Sequence, residues 1–146
     1  MIAVDASVVV VAVLSAGGAG ARARERLRLD PDLHVPHLMD IEVAAALRRR
    51  VRLGQTDVGP AAQALADLTE LAALRWDHAP LLGRVWDLRD NLTPYDAVYV
   101  ALAEALEAPL VVSDARDRTC AGTQLPGRGS PRLNRRDVFG CDRSRR

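Results

Sequence analysis

The stretch Met1-Ile-Ala-Val-Asp5 has the pattern of a short, buried strand that ends at a carboxylate. A second apolar stretch near the other end of the chain, Pro109-Leu-Val-Val-Ser-Asp114, ends in the same way. In an open parallel sheet the carboxyl ends of the strands meet at one edge, and ligands bind in the crevice beyond them. The two stretches therefore predict a parallel α/β fold with an acidic site at the edge of its sheet.

Between these two stretches, the hydrophobic pattern alternates strands with pairs of helices. Strands are expected at about 2–4, 33–36, 74–76 and 110–113, and helices at about 21–29, 38–53, 57–74, 80–89 and 94–108. The segment 7–14 stays open, because its β-branched residues favour a strand while its length and position favour a helix. This order predicts a central parallel sheet with helical layers on both faces.

Length and charge limit the class of protein. At 146 residues and 49% hydrophobic, the chain is expected to form one globular domain. It has no run of membrane-spanning length and no signal-peptide pattern, so a cytoplasmic protein without membrane contact is expected. Residues 1–114 carry 11 Arg against 16 acids, net −5, whereas residues 115–146 carry 9 Arg against 3 acids, net +6. An acidic body with a basic tail differs from a uniformly basic nucleic-acid binder.

The regular pattern dissolves toward the C-terminus, where Gly, Pro, Arg and Ser dominate. Residues 1–118 are expected to form the folded domain, and 119–146 a basic, atypical and loosely ordered tail. Only Val138 and Phe139 in that tail are apolar enough for an edge strand. Cys120 and Cys141 leave a disulfide open, but their spacing does not favour a zinc site.

Two further acids occupy the first turns of predicted helices, Glu42 in one and Asp96 in another. Each of the four acids has a purely structural interpretation: Asp5 and Asp114 as N-caps, Asp96 as the acid of a capping box with Thr93, and Glu42 as an acid beside a helix dipole. Gathered at one edge, however, they would repel one another by an energy on the order of several kcal/mol unless a cation held them. Carboxylate oxygens suit Mg²⁺ or Mn²⁺, so the acids predict a divalent-metal site for phosphoryl-transfer chemistry.

Four stretches in this order resemble the PIN-domain ribonuclease toxins of VapC type. They are Met-Ile-Ala-Val-Asp5-Ala-Ser, Pro-His-Leu-Met-Asp-Ile-Glu42, Asn-Leu-Thr-Pro-Tyr-Asp96 and Leu-Val-Val-Ser-Asp114. The resemblance covers about residues 1–118 and implies a PIN-like three-layer α/β/α sandwich, with a helix at 7–14. It also implies a Mg²⁺-dependent endoribonuclease, with Mn²⁺ as a possible substitute, whose catalytic acids are the four numbered here.

The resemblance assigns roles within the site. It implies that Asp5, Asp96 and Asp114 are the metal ligands, while the remaining acid binds a second ion or orients the attacking water. The hydroxyl residues Ser7 and Thr93 would hold the carboxylates or the metal-bound water.

Partners follow from the same resemblance: an RNA substrate, a cognate antitoxin protein and a second copy of the chain in a homodimer. An arginine of the antitoxin would occupy the acidic site in place of the metal. Arg116 and Arg118 are candidate RNA contacts.

Four aromatic residues are expected in the core or in a dimer interface: Trp76, Trp86, Tyr95 and Tyr99. The histidines lack metal-ligand spacing, so structural roles are expected for them.

A second hypothesis is a catalytically impaired PIN protein that acts mainly by binding its antitoxin. The atypical tail motivates it, because a frameshift in a GC-rich gene would produce such a stretch; a basic arm that contacts RNA is the alternative interpretation of the tail. A third class, a phosphotransfer or phosphatase domain, fits poorly. A haloacid-dehalogenase-like enzyme needs a second acid two residues after Asp5, where this chain has Ser7, and a receiver domain needs a Lys, which this chain lacks.

Overall fold

The computed structural model describes residues 1–113, which form a four-stranded parallel sheet flanked by six helices. The strands are β1 (Ile2–Val4), β2 (Leu33–Pro36), β3 (Ala73–Trp76) and β4 (Leu110–Val111). The helices are α1 (Ala6–Leu14), α2 (Gly18–Leu29), α3 (Leu38–Arg52), α4 (Val58–Thr69), α5 (Leu82–Asp87) and α6 (Pro94–Ala105). The predicted tail at 119–146 lies outside the described residues.

The sheet has the strand order β3-β2-β1-β4, so β1 is central. Its Ala3 is paired with His34 of β2 on one side and with Leu110 of β4 on the other. The chain steps from β1 outward to β3 and then returns across the sheet to β4. Because parallel crossovers are right-handed, this reversal puts α1–α4 on one face and α5 and α6 on the other. It also creates a crevice at the carboxyl ends of β1 and β4, where such folds bind ligands.

The predicted α/β sandwich with a central parallel sheet is confirmed, and segment 7–14 is helical. Several element boundaries were wrong: the helices expected at 80–89 and 94–108 and the strand expected at 110–113 are shorter, and two further differences have a clear physical reason. The helix expected to reach residue 74 ends at Thr69, because Ala73–Trp76 pair with β2 as an edge strand. The helix expected from residue 21 begins at Gly18, where a Cβ on Gly20 would stand 1.8 Å from the carbonyl oxygen of Ser15. Glycine therefore permits α2 to start directly against the end of α1.

Helix α6 is the most buried helix of the described chain, and every residue from Ala97 to Ala103 is buried. Glu104 is also covered: its side chain is 6% exposed and accepts two hydrogen bonds from Arg84 of α5, at 2.7 and 3.0 Å. This bidentate pair fastens α5 to α6 and fixes α6 against the sheet. No helix within residues 1–113 is long and apolar enough to cross a membrane.

Candidate active site

Asp5 stands at the junction of β1 and α1. Its backbone N–H donates to the carbonyl oxygen of Val111 in β4 at 3.0 Å, and its Oδ1 accepts from the Ser7 N–H at 2.8 Å. The carboxylate is therefore the N-cap of α1, as the structural interpretation predicted. It is also 9% exposed at the end of the central strand. The cap thus holds a buried carboxylate at the crevice between β1 and β4.

Asp96 is fixed in the same way at the start of α6. Its backbone N–H donates to Thr93 Oγ1 at 3.2 Å, while the Thr93 hydroxyl donates to Asp96 Oδ2 at 2.8 Å. Thr93 is the N-cap, and Pro94 lies in the first turn, where proline needs no backbone hydrogen bond. The two reciprocal bonds orient the Asp96 carboxylate at the N-terminus of a rigid, buried helix.

Glu42 belongs electrostatically to the same group of acids. Burial is the main cause that raises the pKa of its carboxyl, and the negative charges of Asp5 and Asp96 raise it further. A hydrogen bond from the Tyr99 hydroxyl to Oε2, 2.5 Å long, opposes this shift in part. Burial, followed by the bond to Glu42, likewise raises the pKa of Tyr99. The first three predicted acids therefore lie close enough for Asp5 and Asp96 to influence the titration of Glu42.

Ser7 connects α1 to the last described strand. Its Oγ accepts a hydrogen bond from the Ser113 backbone N–H at 3.1 Å. Ser7 thereby holds the chain directly before Asp114, the fourth predicted acid. Asp114 itself and the candidate RNA contacts Arg116 and Arg118 lie outside the described residues, so their roles stay predictions.

The start of α3, which carries Glu42, is positioned by contacts that the sequence did not reveal. His78 Nε2 accepts a hydrogen bond from the Leu38 backbone N–H at 3.0 Å and so acts as a cap from outside the helix. In the same first turn, Asp40 accepts two hydrogen bonds from Arg75 of β3, at 2.8 and 3.2 Å. These contacts give His78 the structural role expected for the histidines and fix the direction of α3 relative to the sheet.

Tyr99 is the residue whose place in the site was missed. It was expected in the core or in a dimer interface; it is 1% exposed, but its hydroxyl reaches Glu42 across the sheet edge. Its spacing of three from Asp96 puts both on one helix face, which was the available signal. Trp86 and Tyr95 are 68% and 61% exposed, so the core interpretation is wrong for both of them.

The donor set fits a divalent cation in its chemistry. Asp5, Glu42 and Asp96 offer only hard carboxylate oxygens, which Mg²⁺ and Mn²⁺ prefer. A cation would also relieve the repulsion from Asp5 and Asp96, which adds to the effect of burial on the pKa of Glu42. Within residues 1–113, however, no three His, Cys, Asp or Glu side chains are grouped closely enough to hold a metal.

Comparisons with known proteins agree with this geometry. The family model of the PIN domain matches residues 2–120. Ribonuclease VapC9 of Mycobacterium tuberculosis is 43% identical over 129 residues, covering 86% of this chain and 95% of that protein; VapC ribonuclease Mb0985 of Mycobacterium bovis matches equally. The crystal structure of M. tuberculosis VapC20, described as a Sarcin-Ricin loop cleaving toxin, superposes with a TM-score of 0.62 over 80% of this chain and 92% of that one. At 18% identity this last match shows the fold alone.

Proposed function

Because the chain belongs to the PIN-domain family of VapC-type ribonuclease toxins, we propose that it is a Mg²⁺-dependent endoribonuclease that hydrolyses RNA phosphodiester bonds. The observation that carries the metal dependence is the raised pKa of Glu42, to which the charges of Asp5 and Asp96 contribute. Carboxylates that repel one another at the edge of a parallel sheet form a site that a divalent cation stabilises. Mn²⁺ is expected to replace Mg²⁺.

The proposed mechanism assigns each acid a task. Asp5, Asp96 and Asp114 would hold the ion, which when bound activates a water and stabilises charge on the phosphate. Glu42, held by Tyr99, would bind a second ion or orient the attacking water. Thr93 keeps the Asp96 carboxylate in one orientation through the 2.8 Å bond from its hydroxyl.

Ser7 and the basic residues support the same reaction. The Ser7 N–H holds Asp5, and its Oγ holds the backbone of Ser113, so one residue positions the groups on both sides of the crevice. Arg116 and Arg118 would contact RNA phosphates, because guanidinium groups bind phosphate oxygens in a bidentate manner.

The antitoxin partner requires a second surface. A groove of about 620 Å³ lies between α1, α2 and α4, and apolar side chains such as Val13, Leu27 and Leu71 line it. We propose that an apolar segment of the cognate antitoxin fills this groove. For the homodimer, we propose the face of α5 that carries Leu82 and Trp86, since both are exposed and their spacing of four places them side by side.

A second candidate function is antitoxin binding by a catalytically impaired toxin. It is favoured by the finding that the acids within residues 1–113 do not form a metal-holding group on their own. Under this second proposal, activity would depend on Asp114 and on the atypical sequence that follows it.

The deciding experiment is cleavage of end-labelled RNA by the full-length chain in Mg²⁺ and in EDTA. We expect metal-dependent cutting that falls by at least about 100-fold in Asp96→Asn, because this substitution removes a charged ligand. Asp57→Asn is the matched control: Asp57 is exposed, begins α4 and makes no side-chain cap bond. A folded protein that cuts in neither Mg²⁺ nor Mn²⁺ would establish the impaired toxin instead.

A further inference from the structure

The hydroxyl of Tyr99 is a polar group in an otherwise apolar stretch of α6. Its neighbours from Ala97 to Ala103 are all buried, and Phe would fill the same volume without bringing a polar atom into the core. A buried hydroxyl without a partner is unfavourable, and here the partner is the carboxylate of Glu42, at 2.5 Å. The hydroxyl therefore matters because of what it does to Glu42 rather than because of packing.

Glu42 needs such a partner to stay where it is. It faces the negative charges of Asp5 and Asp96, and its own side chain is half-buried, so repulsion favours a rotamer that turns the carboxylate away. The Tyr99 hydroxyl has a single proton to donate. Because the ring is buried in the core, the hydroxyl stays at one position relative to Glu42. It engages Oε2; Oε1 makes no hydrogen bond to any residue within 1–113.

We propose that Tyr99 is a positioning residue of the active site: its hydroxyl holds one oxygen of Glu42, so that the other is presented to the cation. This inference rests on the proposed metal-dependent nuclease and adds to it a residue from the middle of α6. It also explains why α3 and α6, on opposite faces of the sheet, are joined by a hydrogen bond between residues 57 positions apart in the chain.

The first test measures metal binding without RNA. Mn²⁺ affinity of the full-length chain is determined by calorimetry or electron paramagnetic resonance for wild type, Tyr99→Phe and Tyr95→Phe. Loss of a group that orients a metal ligand weakens metal binding by about 10- to 100-fold, and this is the loss expected for Tyr99→Phe. Tyr95→Phe removes a hydroxyl from an exposed tyrosine of the same helix and is expected to change nothing.

A double-mutant cycle separates positioning from a general effect on the fold. In the Glu42→Gln background, Tyr99→Phe is expected to have little further effect on Mn²⁺ affinity, because the carboxylate it positions is gone. Glu42→Asp keeps the negative charge, but its shorter side chain moves the carboxylate away from the Tyr99 hydroxyl. It is therefore expected to lower Mn²⁺ affinity as Tyr99→Phe does. Because this variant leaves Tyr99 intact, it replaces Tyr99→Phe in the test if that variant does not fold.

Cleavage assays complete the design. Tyr99→Phe is expected to lower kcat by about the same 10- to 100-fold while KM for RNA stays within about twofold, because the hydroxyl does not touch substrate. Wild-type affinity for Mn²⁺ in folded Tyr99→Phe, or additive effects of the two substitutions, would overturn the inference. If wild type binds Mn²⁺ but cuts no RNA, the nuclease proposal fails while the metal-binding cycle still decides the role of Tyr99.

Discussion

Glu42 occupies a position in which its ionised form is disfavoured. Burial raises the pKa of its carboxyl most, and the charges of Asp5 and Asp96 add to the rise, so the folded value lies above the unfolded value of about 4.3. The folded state therefore binds the proton more tightly than the unfolded state. Stability is lost as pH rises through the interval between the two values, and above it the loss is complete. At neutral pH the metal-free protein carries this electrostatic cost.

At the scale of this residue, we predict that Glu42→Gln stabilises the metal-free protein. The free energy of unfolding at neutral pH should rise by about 0.5–2 kcal/mol, the usual gain when a strained functional group is neutralised. The gain should vanish below about pH 3, where the wild-type carboxyl is protonated in both states. Urea unfolding in EDTA measures both effects, with Glu25→Gln on the exposed side of α2 as control. A destabilised variant at neutral pH would contradict the repulsion.

The same residues show what sequence alone could predict of the site. Asp5 and Asp96 were identified as caps and as ligands, and the geometry of a cap is now observed for each. An acid at the start of a helix can be a helix cap, a metal ligand or both, and the local sequence is the same in each case. Only its distance from the other acids in the folded protein distinguishes these roles. That proximity appears in the pKa of Glu42, and it arises because the sheet brings the starts of α3 and α6 together at the edge where β1 ends. Local sequence patterns carry no record of such packing, which is why Tyr99 was missed.

Among the elements, α3 and α6 end in the same C-terminal motif with different residues at its critical position. In α3, the Gly54 N–H donates to Val51 and the Gln55 N–H to Arg50; in α6, the N–H groups of residues 107 and 108 donate to residues 104 and 103. Both motifs require a left-handed residue after the helix cap. Gly54 supplies it with φ +64°, whereas Glu107 adopts φ +52° despite its side chain.

This contrast predicts stability changes of opposite sign. Gly54→Ala should lower the free energy of unfolding by about 1 kcal/mol, because alanine is strained at positive φ. Glu107→Gly should raise it by about 0.5 kcal/mol, since relief of strain outweighs the greater freedom of glycine in the unfolded chain. Thermal and urea unfolding of the two variants provide the measurement. Changes of the same sign would show that the backbone angle does not control these helix ends.

Element types were predictable where tertiary contacts and local propensity agree. The central strand β1 and the apolar helix α6 satisfy both conditions. Segment 7–14 does not, because Val8 and Val9 favour strands locally but are buried here in a helix that Asp5 caps. The end of α4 differs from the expected one for a similar reason. The helical sequence pattern continues to residue 74, but Ala73–Trp76 pair with β2 as a strand, so the helix ends earlier. In both places long-range contacts decided between two locally acceptable structures.

At the scale of the whole molecule, the two proposed interfaces occupy different parts of the fold. The antitoxin groove is lined by α1, α2 and α4, with Leu27 as one of its walls. The proposed dimer face is on α5, on the other side of the sheet, where Trp86 is exposed and Arg89 stacks on its ring at 5.2 Å. Because neither surface includes the four acids, loss of either interface should leave the chemistry of the site intact.

Two matched substitutions test this separation, and each is the control for the other. Leu27→Glu places a charge in the apolar groove and should weaken binding of the cognate antitoxin by roughly 100-fold, while the oligomeric state stays unchanged. Trp86→Glu should shift the dimer to monomer in sedimentation velocity and leave antitoxin binding unchanged, since Trp anchors dominate the interfaces that they occupy. Circular dichroism establishes that both variants are folded. A substitution acts directly only on the surface that contains it. Disruption of the dimer by Leu27→Glu, or loss of antitoxin binding in Trp86→Glu, would therefore show that the assignment of one partner to each face is wrong.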